Sequence, residues 1–314
     1  MTGTVQVPAK LTPAIGLVAA ALGVVYVVWG STYLAIRILV EQAPPLTSAG
    51  LRYTTGAVLL ALILAARGGP KRLRLTRRQV LGTAFLGLML PMLGNGMVSV
   101  AENLGAPSGV AALLIASVPL MIVVFRVVEG DRPRPWSLTG VLLGFAGLAL
   151  LVLVGGGGTA GFPLGPALIV VGASACWAFG SYAPPRLWLP EDVFVTTVYE
   201  MLFGGLILLT VGRVAGESFH AAAYSARTWS ALGYLVVFGS VIAFTAYVWL
   251  LANAPISLVA TYAYVNPVVA VFLGWLVLDE PVTPAVVVGG GIVIAAVAVV
   301  IGAERPRRPA TLRT

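Results

Sequence analysis

Residues 106–133 read APSGVAALLIASVPLMIVVFRVVEGDRP, and residues 254–281 read APISLVATYAYVNPVVAVFLGWLVLDEP. Each stretch opens on Ala-Pro and carries a proline at the same internal position, Pro119 in one and Pro267 in the other. Each closes on Asp-x-Pro, as Asp131-Arg132-Pro133 and Asp279-Glu280-Pro281. The offset is 148 residues, and the same offset relates Trp29 to Trp177 and Gly56 to Gly204. A gapless match of prolines, glycine and tryptophan marks an internal repeat. Between the marker residues lie unbroken apolar runs with no alternation, which read as membrane-spanning helices of about 20 residues.

Working outward from these two stretches, such runs are expected at about 14–39, 47–66, 79–101, 106–128, 136–154, 164–183, 192–213, 228–251, 256–277 and 282–302. Turn-forming residues separate them: Ala43-Pro44-Pro45, Gly68-Gly69-Pro70, Gly130 to Pro135, Gly155 to Gly158, Pro184-Pro185 and Asp279-Glu280-Pro281. The expected fold is an all-α membrane protein of ten transmembrane helices, built as two five-helix repeats over residues 1–157 and 158–314. An odd number of spans per repeat turns the second copy upside down. Inverted repeats are a recurring design of secondary transporters.

Composition supports a lipid-embedded chain. Of 314 residues 59% are hydrophobic and 10% charged, with a mean hydropathy of +0.99. A soluble domain carries about a quarter charged residues. The net charge of +8 does not point to nucleic acid, because most basic residues sit in short gaps between apolar runs. With a cytoplasmic N-terminus, 15 of the 19 Lys and Arg residues fall in segments on the inner side. Both termini are then cytoplasmic in a bacterial-type inner membrane. The first apolar run continues to Val40 and is read as a retained span, not a cleaved leader. The dense cluster from Arg67 to Arg78 sets topology and meets anionic lipid.

Catalytic chemistry finds little support. The single cysteine (Cys176) and single histidine (His220) leave no cysteine- or histidine-based metal site and no Ser/His/Asp triad. No GxxxxGK[ST] loop is present, so neither direct ATP drive nor any other cofactor is expected. An intramembrane enzyme acting on lipid would need paired carboxylates at one depth, and the acids are scattered.

The stretch Trp29-Gly30-Ser31-Thr32-Tyr33-Leu34-Ala35-Ile36-Arg37, followed by Pro44-Pro45 and Leu51-Arg52-Tyr53, resembles the first two helices of EamA-like transporters in the drug/metabolite transporter superfamily. Ala254-Pro255 to Ala260, then Asn266-Pro267 and Asp279-Glu280-Pro281, is similar to the end of that family's second repeat. The resemblance extends over about residues 14–302. It implies ten helices, cytoplasmic termini, a central cavity between the repeats, and secondary transport, most often export, of small metabolites, amino acids or toxic compounds.

Intramembrane charge is the strongest pointer to a transport site, because a charge at the bilayer centre costs about 2.5–3.5 kcal/mol on insertion scales. Glu200, in the seventh span, reads as a site for a cationic solute or coupling proton, or as half of an ion pair. Arg52 occupies the repeat-equivalent position and is expected at similar depth across the cavity, or as a structural or snorkelling arginine. Arg37 and Glu41 have the spacing of an ordinary i,i+4 ion pair. Glu102, near the end of the third span, reads as a gate or as a water-facing acid.

Polar residues at helical spacing define faces turned from lipid. These are Tyr26, Gly30, Tyr33 and Arg37 on the first span, and Asn95, Ser99 and Asn103 on the third. On the ninth are Ser257, Thr261 and Tyr264, with Tyr262 and Asn266 adjoining. Trp29 and Trp177 are placed with Tyr33 and Tyr264 on an aromatic surface, while the other five tryptophans sit near helix ends as interfacial anchors. Each face also suits simple interhelical hydrogen bonding. The expected solute site therefore lies between the repeats, lined by helices 1, 3, 6, 8 and 9. Pro119 and Pro267 free a carbonyl each. Gly140 and Gly144, with Gly289 to Gly291, serve close packing within the protomer or a homodimer. A multidrug efflux carrier, or a membrane scaffold or sensor, are the alternatives to a dedicated exporter linked to a proton or other ion.

Overall fold

A computed structural model describes residues 15–154, 163–254, 256–259 and 261–303. The Gly155 to Gly158 linker and the basic residues before 15 and after 303 lie outside it. The side chains of Val248, Leu251, Ala252, Ile256 and Ser257 are likewise outside the described set.

The helices are α1 (Ile15–Val40), α2 (Pro45–Gly68), α3 (Arg77–Asn103), α4 (Ser108–Val128) and α5 (Pro135–Val154), then α6 (Leu164–Tyr182) and α7 (Val193–Val214). They continue with α8 (Ala226–Tyr247), which runs on to Asn253, then α9 (Tyr262–Leu278) and α10 (Pro284–Ala303). Local chemistry sets the boundaries. Pro45 and Pro135 occupy first-turn positions of α2 and α5, where the missing N–H has no helical partner anyway. Thr76 and Gln79 form a reciprocal cap at the start of α3, and the Asp192 carboxylate accepts from Phe194 N–H at the start of α7. Gly130 (φ 90°) follows the end of α4, and Asp279 (φ 53°) turns the chain out of α9. Asp131, the repeat partner of Asp279, lies in the α4–α5 loop. Hydrogen bonds from Arg126 and from the Arg132 N–H hold its carboxyl below the usual carboxylate range. The expected ninth span, continuous from residue 256, is instead a short turn of helix (Ile256–Val259) followed by α9.

Packing of repeat-equivalent helices reveals the inversion. A methyl group on Gly50 would meet Leu209 and the Gly205 carbonyl, one on Gly56 would meet Met201, and one on Gly212 would meet Thr47. As numbers rise along α2 they fall along α7, so the two run antiparallel. The α5–α10 seam behaves the same way: Gly140 abuts Val300 and Ala296, and Gly147 abuts Ile292 and the Gly289 carbonyl. The GxxxG motif is thus used inside the protomer. Small residues let helix axes approach closely where lipid offers no competing hydrophobic force. Two inverted five-helix repeats enclose one core, with α3 against α6 and α7, and α1 against α8 and α9.

Four of the helices carry wider π-helical stretches, at Val25–Trp29, Leu88–Gly96, Leu150–Val154 and Leu235–Ile242. Those in α3 and α8 are repeat-equivalent, and Pro91 in one corresponds to Gly239 in the other. Proline without an N–H breaks the α-helical ladder in α3. Such stretches often mark functional positions.

The loops at one end of the bundle, the basic end, hold Arg72, Arg132 and Arg186, with Arg78 at the neighbouring start of α3. There Arg72 pairs with Asp192 at 2.6 Å and Arg78 stacks on Trp188 at 4.8 Å, so part of the basic cluster is engaged within the protein.

Candidate functional site

A cavity of about 100 Å³ lies between the repeats, lined from α1, α2, α3, α4, α6, α7, α8 and α9. Helices 2, 4 and 7 therefore join the five that were expected. Trp29, Tyr33, Arg52, Asn95, Trp177, Glu200 and Asn266 all line it. Tyr26, Ser99, Thr261 and Tyr264 do not. The Tyr26 hydroxyl meets the Thr261 hydroxyl, tying α1 to the start of α9. Ser99 donates to the Asn95 carbonyl one turn back, at 3.4 Å. Tyr264 packs on the apolar core formed largely by α4, α5 and α10.

Arg52 is 5% exposed and Glu200 7% exposed. Arg52 donates from Nε to Ser240 Oγ (3.1 Å) and from Nη1 to Asn95 Oδ1 (3.2 Å), and its guanidinium lies 4.9 Å from the Tyr53 ring centroid. It forms no ion pair with Glu200. Among the described residues Glu200 accepts no hydrogen bond. Because α2 and α7 are antiparallel, the two charges stand at different heights along the bundle, each displaced toward the end where its own helix starts, not at one depth. The cavity thus presents a guanidinium already held by neighbours and a carboxyl group with no partner.

The apolar wall is built around Trp29. Its ring lies 5.0 Å from Tyr247, 5.3 Å from Tyr262 and 5.9 Å from Phe244, and its Nε1 donates to the Gly239 carbonyl at 3.3 Å. Edge and tilted contacts of this kind suit aromatic quadrupoles. Trp177 stands on the opposite repeat, packed over Gly94, where a methyl group would come within 2.7 Å of its ring. Asn266, with its amide turned to donate, reaches the carbonyls of Tyr262 (3.3 Å) and Tyr26 (3.2 Å). Pro119 and Pro267 both line the cavity, as do Ile115 and Ala263, whose carbonyls lose their i+4 donors to these prolines.

Tyr262, which was expected on the polar face of the ninth span, lines the cavity; Thr32, Tyr53, Pro91, Met201, Gly239, Ser240 and Phe244 complete much of the rest and had no individual role in the sequence reading. Ser240 follows Gly239, the repeat equivalent of Pro91, an unlike pair that the sequence match did not mark. Phe244 carried no signal either.

Two expectations at the end away from the basic loops are corrected. Arg37 does not pair with Glu41; its guanidinium donates to the main-chain carbonyl of Glu102, which also accepts from Gly105 N–H, because α3 ends beside α1. Glu102 does not face water. It is 0% exposed.

Comparison with known proteins agrees with this architecture. The sequence matches the EamA-like transporter family twice, over residues 14–153 and 164–302. It is 40% identical over 280 residues to the "uncharacterized inner membrane transporter YedA" of Escherichia coli (strain K12), covering 89% of each chain. It is 24% identical over 292 residues to the "uncharacterized transporter YvbV" of Bacillus subtilis (strain 168), covering 93% of each. A solved crystal structure of 22% identity has the same fold at a TM-score of 0.62, covering 94% of this chain and 100% of that one. With two family matches spanning nearly its whole length, this chain is a member of the EamA-like transporter family, a multi-pass membrane transporter of small molecules.

Proposed function

We propose that the chain is a secondary transporter that exports a small amphipathic metabolite, amino acid or drug-like compound across the inner membrane by alternating access. The observation that carries this reading is the pairing of Glu200 and Arg52 in one cavity without an ion pair between them. A solute bearing a cationic group meets the unpartnered carboxyl of Glu200. Its anionic or acceptor group meets Arg52, and its apolar part lies against Trp29, Phe244 and Tyr262. Residues 1–157 and 158–314 then act as the two halves that rock about this site. The basic loops and both termini are assigned to the cytoplasm on the positive-inside rule. Anionic lipid headgroups at Arg67 to Arg78 anchor that side, and Arg67 and Arg72 flank an apolar groove suited to an acyl chain. A homodimer would have to use faces other than the α5–α10 seam.

The test is a thermal-stability screen of purified protein against amino acids, amines and toxic cations, followed by flux of the best stabiliser in vesicles. Glu200→Gln is expected to reduce both stabilisation and flux while still reaching the membrane. Unchanged flux removes Glu200 from the site. The aromatic wall also favours a second reading, a multidrug carrier; mutual competition among unrelated dyes distinguishes it from a dedicated exporter. Absence of any solute-dependent flux or stabilisation would favour a scaffold or sensor.

A further inference from the structure

The end of the bundle away from the basic loops is closed by side chains that cross between repeats. Glu217 caps α2, accepting from Leu46 N (3.1 Å), Thr47 N (2.7 Å) and Thr47 Oγ1 (2.7 Å). Glu280 caps α4, accepting from Ser108 N (2.8 Å), Ser108 Oγ (2.9 Å) and Gly109 N (3.2 Å). Gln42 completes the set, its Oε1 accepting from Ser225 N (2.9 Å) and Thr228 Oγ1 (2.8 Å) at the start of α8. Beside this closure, in the last turn of α3, lies Glu102. It is wholly buried, and neither carboxyl oxygen has a hydrogen-bond partner.

Apart from Arg37, its surroundings oppose a negative charge. Arg37, from α1, is committed to the main-chain carbonyl of Glu102 and not to its carboxylate. The place of Glu102 in the last turn of α3 sets it at the negative end of the helix dipole. The Glu280 carboxylate, held at the start of α4, faces it as a like charge. Tyr33 from α1 faces it as well and also lines the cavity, next to Arg52 and Tyr53 of α2. The remaining packed helices bring no charge: α6 has none, and the single charge of α4, Arg126, lies near its other end. A buried carboxylate with no partner takes up a proton in preference to staying ionised.

We propose that Glu102 is a proton-binding site, which holds its proton while the end away from the basic loops is closed and yields it to water when that end opens. The step breaks one O–H bond. The proton passes to solvent, the electron pair stays on the carboxylate, and Arg37 becomes its partner. This rests on the alternating-access reading for what opening means, and it makes the proton the ion linked to the cycle.

Two measurements test it without a known solute. Infrared spectra of the purified protein at neutral pH should contain a protonated-carboxyl C=O stretch that is lost in Glu102→Gln and retained in Glu200→Gln. Secondly, Ala106, buried at this end, is replaced by cysteine in a Cys176→Ser background and labelled with a membrane-impermeant maleimide. Labelling, expressed at each pH relative to that of the same cysteine in denatured protein so that thiol ionisation cancels, should rise with pH by up to about tenfold per unit, the limit for one linked proton. It should be flat in Glu102→Gln. An infrared band unaffected by Glu102→Gln, or a pH response that survives it, overturns the proposal while leaving the carrier reading intact.

Discussion

Arg52 and Glu200 stand seven residues beyond the first residue of α2 and of α7, on helices that run antiparallel, and both face one cavity without pairing. Opposite charges at equivalent positions of an inverted repeat form a ladder along the solute path. The separation leaves a place for a solute between them.

Loss of either charge should weaken solute binding by roughly ten- to a hundredfold, the range for hydrogen bonds to charged groups. Isothermal titration of Glu200→Gln and Arg52→Gln with the solute that most stabilises the wild type measures this. Wild-type affinity in both variants would exclude direct contact.

The α2–α7 seam should tolerate no added side chain. A methyl group on Gly50 would lie 2.8 Å from Leu209 Cγ and 2.9 Å from its backbone nitrogen. Gly50→Ala is expected to destabilise by about 1–3 kcal/mol. Gly172→Ala, where nothing lies within 4 Å, should be neutral or stabilising. Thermal unfolding followed by size-exclusion chromatography distinguishes the pair.

Removal of a cross-repeat cap should loosen one end only. Glu217→Ala and Glu280→Ala are each expected to cost about 0.5–2 kcal/mol, as for other helix caps. Proteolysis or thiol labelling should increase in the loops away from the basic end. Equal loosening at both ends would show that the caps act on global stability alone.

Trp29 should matter through its ring more than its N–H. Trp29→Phe loses the bond to the Gly239 carbonyl but keeps much of the contact with Phe244, Tyr247 and Tyr262. It is expected to retain most transport, whereas Trp29→Ala should lose it. Comparable loss in both variants would assign the role to the hydrogen bond.

The architecture was legible because long apolar runs, prolines and the 148-residue offset each constrain the backbone directly. Helix ends fell within a few residues of expectation, apart from the breaks at residues 116–117 and before Tyr262. The site was only partly legible, since a polar stripe says which side of a helix avoids lipid but not what lies across from it. Asn95 sits within the wide π-helical stretch of α3 and Ser99 lies beyond it, so the two no longer share the cavity face. Phe244 and Tyr262 join Trp29 across helices, a relation invisible in any one span. Glu102 misled for a similar reason: an acid near a helix end normally meets water, and only the packing of α3 against α1 seals it.

The most direct test places one cysteine at each end of the bundle in a Cys176→Ser background, Ala43→Cys away from the basic loops and Ala183→Cys beside them, both buried. In vesicles given the transported solute, two halves rocking around the Arg52–Glu200 cavity must expose these positions reciprocally, one gaining reactivity as the other loses it. Reactivity that rises and falls together at both positions, or that ignores the solute, would contradict alternating access.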